Sequence, residues 1–173
     1  MLLRAQTDCD GCGGGGDPVL PDYTITTTGN AIVITDVSGN GETLDVSESG
    51  GNIRFNVTGR TYKIDAGAVT PFTTPADVAL AGVTSIIINT ANGNDNINIG
   101  AFTANLPSLT INGGTGDDAV NFNGDINFAA DANLDLDLQN DDATPGVDAF
   151  TIANDANVKL FGTGTATVKV SKN

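Results

Sequence analysis

Residues 85–99 read SIIINTANGNDNINI and residues 108–122 read SLTINGGTGDDAVNF, and laid over one another these two stretches decide the fold. At this offset of 23 residues Ser85 falls on Ser108, Ile88 on Ile111 and Asn89 on Asn112. Further along, Gly93 falls on Gly116, Asp95 on Asp118, Ile97 on Val120, Asn98 on Asn121 and Ile99 on Phe122. Each copy is a short apolar alternation, a Gly/Asn/Asp turn, and a second alternation. Residues two apart in a strand share a face, so the repeat places like residues on like faces. A unit this short cannot bury its apolar side alone; it must stack on a neighbour to complete a core.

Weaker echoes lie on either side. Residues 131–136 (DANLDL) align with residues 155–160 (DANVKL) at an offset of 24, and the runs at 31–35 and 53–57 are 21 to 22 residues apart. A period in the low twenties, with Ile, Leu, Val and Phe inward and Asn, Asp and Thr outward, predicts an all-β chain. Its architecture is a parallel β-helix, or β-solenoid, of about six coils over residues 23–173. At ~4.8 Å per coil the stack is roughly 30 Å tall. Asn89 over Asn112 and Asn98 over Asn121 form amide ladders between coils. An antiparallel β-sandwich is the alternative, since it also has many short strands with frequent turns. For it speaks Thr58-Gly59-Arg60-Thr61, which could turn a hairpin between the runs at 53–57 and 62–64. Against it stands the in-register recurrence of Gly, Asn and Asp, which a sandwich does not need. Residues 1–22 read as a separate arm, because four successive glycines (Gly13 to Gly16) resist any regular element.

Composition narrows the function classes. Net charge is −14, and no Lys or Arg lies between Lys63 and Lys159, an interval holding thirteen Asp. Such a surface repels phosphate backbones, so nucleic acid is excluded as a partner, and anionic membrane surfaces are disfavoured. No stretch approaches the ~20 apolar residues of a membrane-spanning helix. With no His in the chain, triad chemistry through an imidazole base and His-ligated zinc are both excluded. Paired carboxylates are then the remaining catalytic chemistry. The best acidic cluster is Asp135 and Asp137, alternating with Leu134, Leu136 and Leu138, and continued by Asn140, Asp141, Asp142 and Asp148. Its period of two points the leucines to the core and the aspartates to water, and no long insertion builds a cleft beside it. The chain therefore reads as non-enzymatic. Cys9 and Cys12 form a C-x-x-C followed by polyglycine rather than a helix, so a redox-active thiolate is not expected. A local disulfide or a cross-link between subunits is.

Residues 113–121, GGTGDDAVN, resemble the GGxGxDxUx nonapeptide of RTX-type calcium β-rolls at every defined position. A degenerate copy, residues 92–97 (NGNDNI), precedes it by 23 residues, whereas RTX arrays repeat back to back. The resemblance implies calcium held by Asp95, Asp117 and Asp118, the first and last brought together by stacking. Met1-Leu2-Leu3-Arg4-Ala5 resembles the end of the LEPRxLL-type motif near the N-termini of very large planctomycete surface proteins. That implies an exported chain whose Met1 is not the translation start. The repeat region also resembles β-strand-repeat segments of giant bacterial adhesins, which implies a cell-surface location and cell-surface components as partners.

The expected function is structural. The last strand, around Val168, Lys169 and Val170, is alternating and bare, and Lys159, Lys169 and Lys172 are the basic groups after Lys63. Asp36, Glu42 and Asp45 lie in the first coil. A basic last coil meeting an acidic first coil of another copy is a head-to-tail contact, which propagates into an extracellular fibre. The adhesin or calcium-binding module is the alternative function, and a polysaccharide-cleaving β-helix enzyme a remote one.

Overall fold

The computed structural model describes residues 19–138 and 147–170. Among them the chain is all-β, with no helix and sixteen strands. These are β1 (Tyr23–Thr28), β2 (Ala31–Asp36), β3 (Thr43–Ser49), β4 (Asn52–Val57), β5 (Thr61–Ile64), β6 (Thr70–Pro71), β7 (Ala76–Ala79) and β8 (Ser85–Asn89). They continue with β9 (Asn96–Ile99), β10 (Ser108–Asn112), β11 (Ala119–Phe122), β12 (Ile126–Ala130), β13 (Leu134–Asp137), β14 (Ala149–Ile152), β15 (Val158–Phe161) and β16 (Ala166–Lys169). They form an eight-stranded mixed sheet in the order β16-β13-β10-β8-β2-β1-β5-β6, a six-stranded mixed sheet β14-β11-β9-β3-β4-β7, and the parallel pair β12-β15. None of the sheets is closed.

The repeat that decides the sequence reading is realised as strand pairing. Ser85 pairs with Ser108, Ile88 with Ile111 and Asn89 with Asn112, and Asn96 with Ala119 through Ile99 with Phe122. All these pairs are parallel. The amides form the expected ladder: Asn112 Nδ2 donates to Asn89 Oδ1 at 2.8 Å, and Asn121 Nδ2 to Asn98 Oδ1 at 3.3 Å. The rows extend one strand further, Asn89 donating to Thr35 and Asn98 to Asp45.

The other two alignments are not realised. Residues 131–136 do not lie over 155–160. Instead Leu134 pairs with Ala166 and Leu136 with Val168, an offset of 32, and Ile126 pairs with Val158. Spacing grows along the chain because more residues intervene after Leu138: Leu109 pairs with Leu134, but Ala119 only with Ala149. The runs at 31–35 and 53–57 fall in different sheets. Strand β2 pairs with β8 at an offset of 54 and β3 with β9 at 53. Between them runs an excursion of antiparallel strands. The hairpin that spoke for a sandwich at residues 58–61 does not form, since β4 pairs with β3 and β7 while β5 pairs with β1 and β6. Gly59, at φ +77°, turns the chain out of one sheet and into the other.

That excursion shuts one end. Gly29 (φ +60°) turns β1 back along β2, and Gly50 and Gly51 (φ +58° and +81°) turn β4 back along β3. Two-residue loops with positive φ match the right-handed strand twist, which explains the glycines. The ring of Tyr23 meets Phe72 edge-on at 5.8 Å and Tyr62 lies tilted against Phe72 at 4.6 Å, filling the space behind this end. At the other end lie β14, β15 and β16. Phe150, Val158 and Leu160 on these strands are half-buried against the core, whereas Ile152, Phe161 and Val168 are 44, 47 and 40% exposed. The residues beside two of them, Phe122 and Leu136, are at 0%.

The glycines of residues 113–116 are required by close stacking. Gly93 N donates to Thr115 O and Thr115 N to Ala91 O, each at 2.8 Å. A Cβ on Gly114 would sit 1.6 Å from Ala91 O, and one on Gly116 2.1 Å from Gly93 O. Gly114→Ala is therefore expected to cost about 3 kcal/mol or more, from left-handed backbone strain plus overpacking. Gly59→Ala, where no atom lies within 4 Å of the added Cβ, is expected to cost only about 1 kcal/mol. Urea unfolding of the two variants checks this; equal losses would mean that stacking distance is not what the glycine serves.

Candidate functional site

Alternation of faces sorts the acidic residues. Asp95 shares its parity with Ile97 and Ile99, and Asp118 with Val120 and Phe122, so both point into the core. They are 2 and 1% exposed, and Asp36, in phase with Ile32 and Ile34, is 2% exposed. Asp117 points the other way. Its Oδ1 accepts from Val147 N at 2.7 Å on the outer side.

The inward acids form a column running across the strands. Asp95 Oδ1 accepts from Glu42 N at 2.9 Å, Asp118 Oδ1 from Asp95 N at 3.0 Å, and Asp148 Oδ1 from Asp118 N at 3.1 Å. Each carboxylate thus satisfies the corner amide of the adjoining pass of chain. The second oxygens differ: Asp95 Oδ2 and Asp118 Oδ2 are buried with no hydrogen-bond partner. Asp118 Oδ2 lies against Gly113, where an added Cβ would be 2.3 Å from it and 3.1 Å from Leu138 Cδ2. Glycine at 113 makes the room this carboxyl occupies.

The column ends in a polar knot at the shut end. Glu42 accepts from the Tyr23 hydroxyl at 3.0 Å and from Ser38 Oγ at 3.1 Å, and pairs with Arg60 Nη2 at 2.5 Å. Asp36 accepts from the Ser38 and Gly39 amides at 2.7 and 3.1 Å. Sequence reading missed this knot, although Asp36 in phase with two isoleucines was the available signal.

Of the three aspartates expected to hold calcium, Asp95 and Asp118 stand in one inward column and Asp117 faces outward. Asp117 and Asp118 are adjacent in the chain and so diverge to opposite faces, and the inner two are engaged by amides of different passes. Among the described residues no group of three or more His, Cys, Asp or Glu side chains is arranged to hold a metal ion. Nor do the expected assembly residues form two complementary ends. Asp36 and Glu42 are consumed by the internal bonds above, and Asp45 accepts from Asn98. Strand β2 has β1 and β8 on its two edges, and β3 has β4 and β9, so neither has an edge to offer. Of the residues around the last strand, Val168 is exposed, Val170 is half-buried, and Lys169 holds Asp137 at 2.7 Å. Lys159 is on β15, parallel to β12. Lys172, Cys9, Cys12, Asn140, Asp141 and Asp142 lie outside the described residues.

No protein family, no curated protein and no solved structure matches this chain.

Burial, reinforced by the charges of Asp118, Glu42 and Asp36 and opposed by the Glu42 amide, pushes Asp95 up to about 7. Burial likewise raises Asp118, against the Asp95 amide and with the charges of Asp148 and Asp117. Tyr23 is raised by burial first and then by its acidic neighbours. Outer carboxylates move the other way. Glu48 is lowered by the Ala104 and Thr103 amides, Asp131 by Thr163, and Asp125 by Asn157. A raised acid stabilises the fold fully below its ordinary pKa, and that contribution is lost as pH rises through the folded value. A lowered acid contributes above its ordinary pKa and loses that contribution as pH falls. The melting temperature should therefore peak near the ordinary carboxylate range, at about pH 4, and decline as pH rises to about 7. Asp95→Asn should flatten that decline. Circular-dichroism melts across this range check it, and parallel curves for the two proteins would refute the assignment.

Proposed function

We propose that this chain is a structural, non-catalytic β-solenoid subunit that self-assembles outside the cell by adding strands at its C-terminal end. The solenoid reading is supported by the pairing pattern. Of thirteen strand pairings among the described residues nine are parallel, at offsets from 23 to 54 residues, and the four antiparallel ones lie in or beside the end excursion. An antiparallel sandwich does not use such crossovers.

One observation carries the assembly reading: among the described residues β14, β15 and β16 each have an unpaired edge at the same end, where Ile152, Phe161 and Val168 are exposed. Open strand edges template further pairing, and natural chains blunt them unless something joins. The opposite end is blunted. There the outermost strands are β6, two residues long and containing Pro71, and β7, whose Asp77 is gripped by Arg54 at 2.7 Å. Proline has no amide to donate to a ladder, and paired charge on an edge strand discourages addition. A head-to-tail fibre through β2 or β3 finds no free edge, so assembly proceeds from the C-terminal side.

Sedimentation velocity over a concentration series tests this reading. A species larger than one chain should grow with concentration, and Ile152→Lys should weaken it at least tenfold while leaving the far-ultraviolet spectrum unchanged. A chain that sediments as a monomer throughout would end the proposal.

A further inference from the structure

Asn40, Asn92, Asn112 and Asn123 are each followed by glycine, so four copies of one reactive dipeptide lie in the described residues. We propose that Asn123 is a modification site, whose side-chain amide converts spontaneously to aspartate and isoaspartate while the fold holds the other three intact. This site does not depend on self-assembly.

The reaction is intramolecular. The Gly124 nitrogen gives its proton to solvent base and attacks Asn123 Cγ. A new N–C bond forms, the Cγ–Nδ2 bond breaks and ammonia leaves. Water then opens the cyclic imide at one carbonyl or the other. Glycine favours the attack because no Cβ hinders its backbone. Two conditions remain, since the reacting atoms must come within about 3–3.5 Å of each other. The amide side chain must be free to swing, and the following N–H must be free of a hydrogen bond. Exposure does not separate the four, because every one of these asparagines is exposed.

Local bonding separates them. Asn92 Oδ1 accepts from Thr115 Oγ1 at 2.8 Å, and Gly93 N donates to Thr115 O at 2.8 Å. Asn112 Nδ2 donates to Asn89 Oδ1 at 2.8 Å, and Gly113 N to Asp137 O at 2.9 Å. In both pairs amide and nucleophile are tied, so reaction must wait for local opening. At Asn40 the peptide group itself is packed. A Cβ on Gly93 would lie 2.3 Å from Gly41 N and 2.5 Å from Asn40 C.

At Asn123 neither the side chain nor Gly124 N has a hydrogen-bond partner among the described residues. The cause lies in the ladder. Asn123 follows β11 in phase with Asn121, and its neighbours across the strands are Gly100 and Ala153. Neither has a polar side chain, so the amide row through Asn98 and Asn121 has no counterpart here. Gly124 meets the neighbouring pass on its α-carbon side, where an added Cβ would be 2.6 Å from Ala101 N. Isoaspartate routes the main chain through an extra carbon, so it must disturb this contact at the entry to β12.

Peptide mapping by mass spectrometry tests this on the full chain held at mildly alkaline pH. In native buffer Asn123 should convert at least tenfold faster than Asn40, Asn92 or Asn112. In urea, where the fold is lost, the four rates should converge. Gly100→Asn supplies the missing ladder partner, and an added Cβ there meets Val46 O at 3.5 Å, an ordinary contact. That variant should slow conversion of Asn123 several-fold in native buffer but not in urea, whereas Gly100→Ala should leave the rate unchanged. Thermal melts show that both variants fold. Equal native rates at Asn123 and Asn112 would overturn the proposal, as would a Gly100→Asn rate matching that of Gly100→Ala.

Discussion

Wherever a parallel pass of chain leaves one sheet for the next, its backbone amides leave the ladder and need other acceptors, in side chains or in water. This chain meets that requirement with side-chain oxygens from the adjoining pass. Asn94 accepts from Asp117 N, Asp117 from Val147 N, Asp125 from Asn157 N, Asp131 from Thr163 N and Asn133 from Thr165 N. The inward column of Asp95, Asp118 and Asp148 does the same inside the corner. At the shut end Asp22, Asp65 and Glu48 serve Thr61, Thr27 and Ala104. The strongly acidic composition is thus tied to the architecture. Short side chains with a carboxylate or amide oxygen reach a neighbouring pass, and a carboxylate accepts a stronger bond than a neutral oxygen does.

Two of these acids serve twice. Asp95 and Asp118 accept an amide with one oxygen and bury the other without a partner, so each couples corner geometry to protonation. Glycine at 113 and the Thr90 hydroxyl, which donates to Gly113 O at 2.7 Å, are fitted around the Asp118 carboxyl. The glycines of the nonapeptide-like stretch have a role independent of any ion: they let Thr115 lie in bridge contact with Asn92.

How much of this was legible follows from what sequence similarity can encode. Residues 85–99 and 108–122 are of equal length with no insertion, so similarity and strand register coincide. Residues 131–136 and 155–160 resemble each other through Asp-Ala-Asn, yet register is fixed by which residues face the core and by the chain consumed between strands. Asn133 therefore meets Thr165, not Asn157. The shut end was illegible for a related reason. Strands such as β5 and β6 have the composition of every other strand here, and only pairing distinguishes them. Parity was legible and carried further than composition. It sends Asp118 inward and Asp117 outward, which separates the residues that the nonapeptide pattern had grouped, and it marks Asp36 as buried.

The antiparallel excursion also sets an order of events for the nascent chain. The β1–β2 and β3–β4 hairpins close over two residues each, whereas every later parallel strand must first close a loop of more than twenty. Loop-closure entropy and the slow formation of non-local contacts favour the hairpins as the earliest structure. They leave the free edges of β2 and β3 as templates onto which β8 and β9, then β10 and β11, are laid in the direction of synthesis. The feature that closes one end of the molecule is thereby also its nucleus, an order that pulsed hydrogen exchange reads directly.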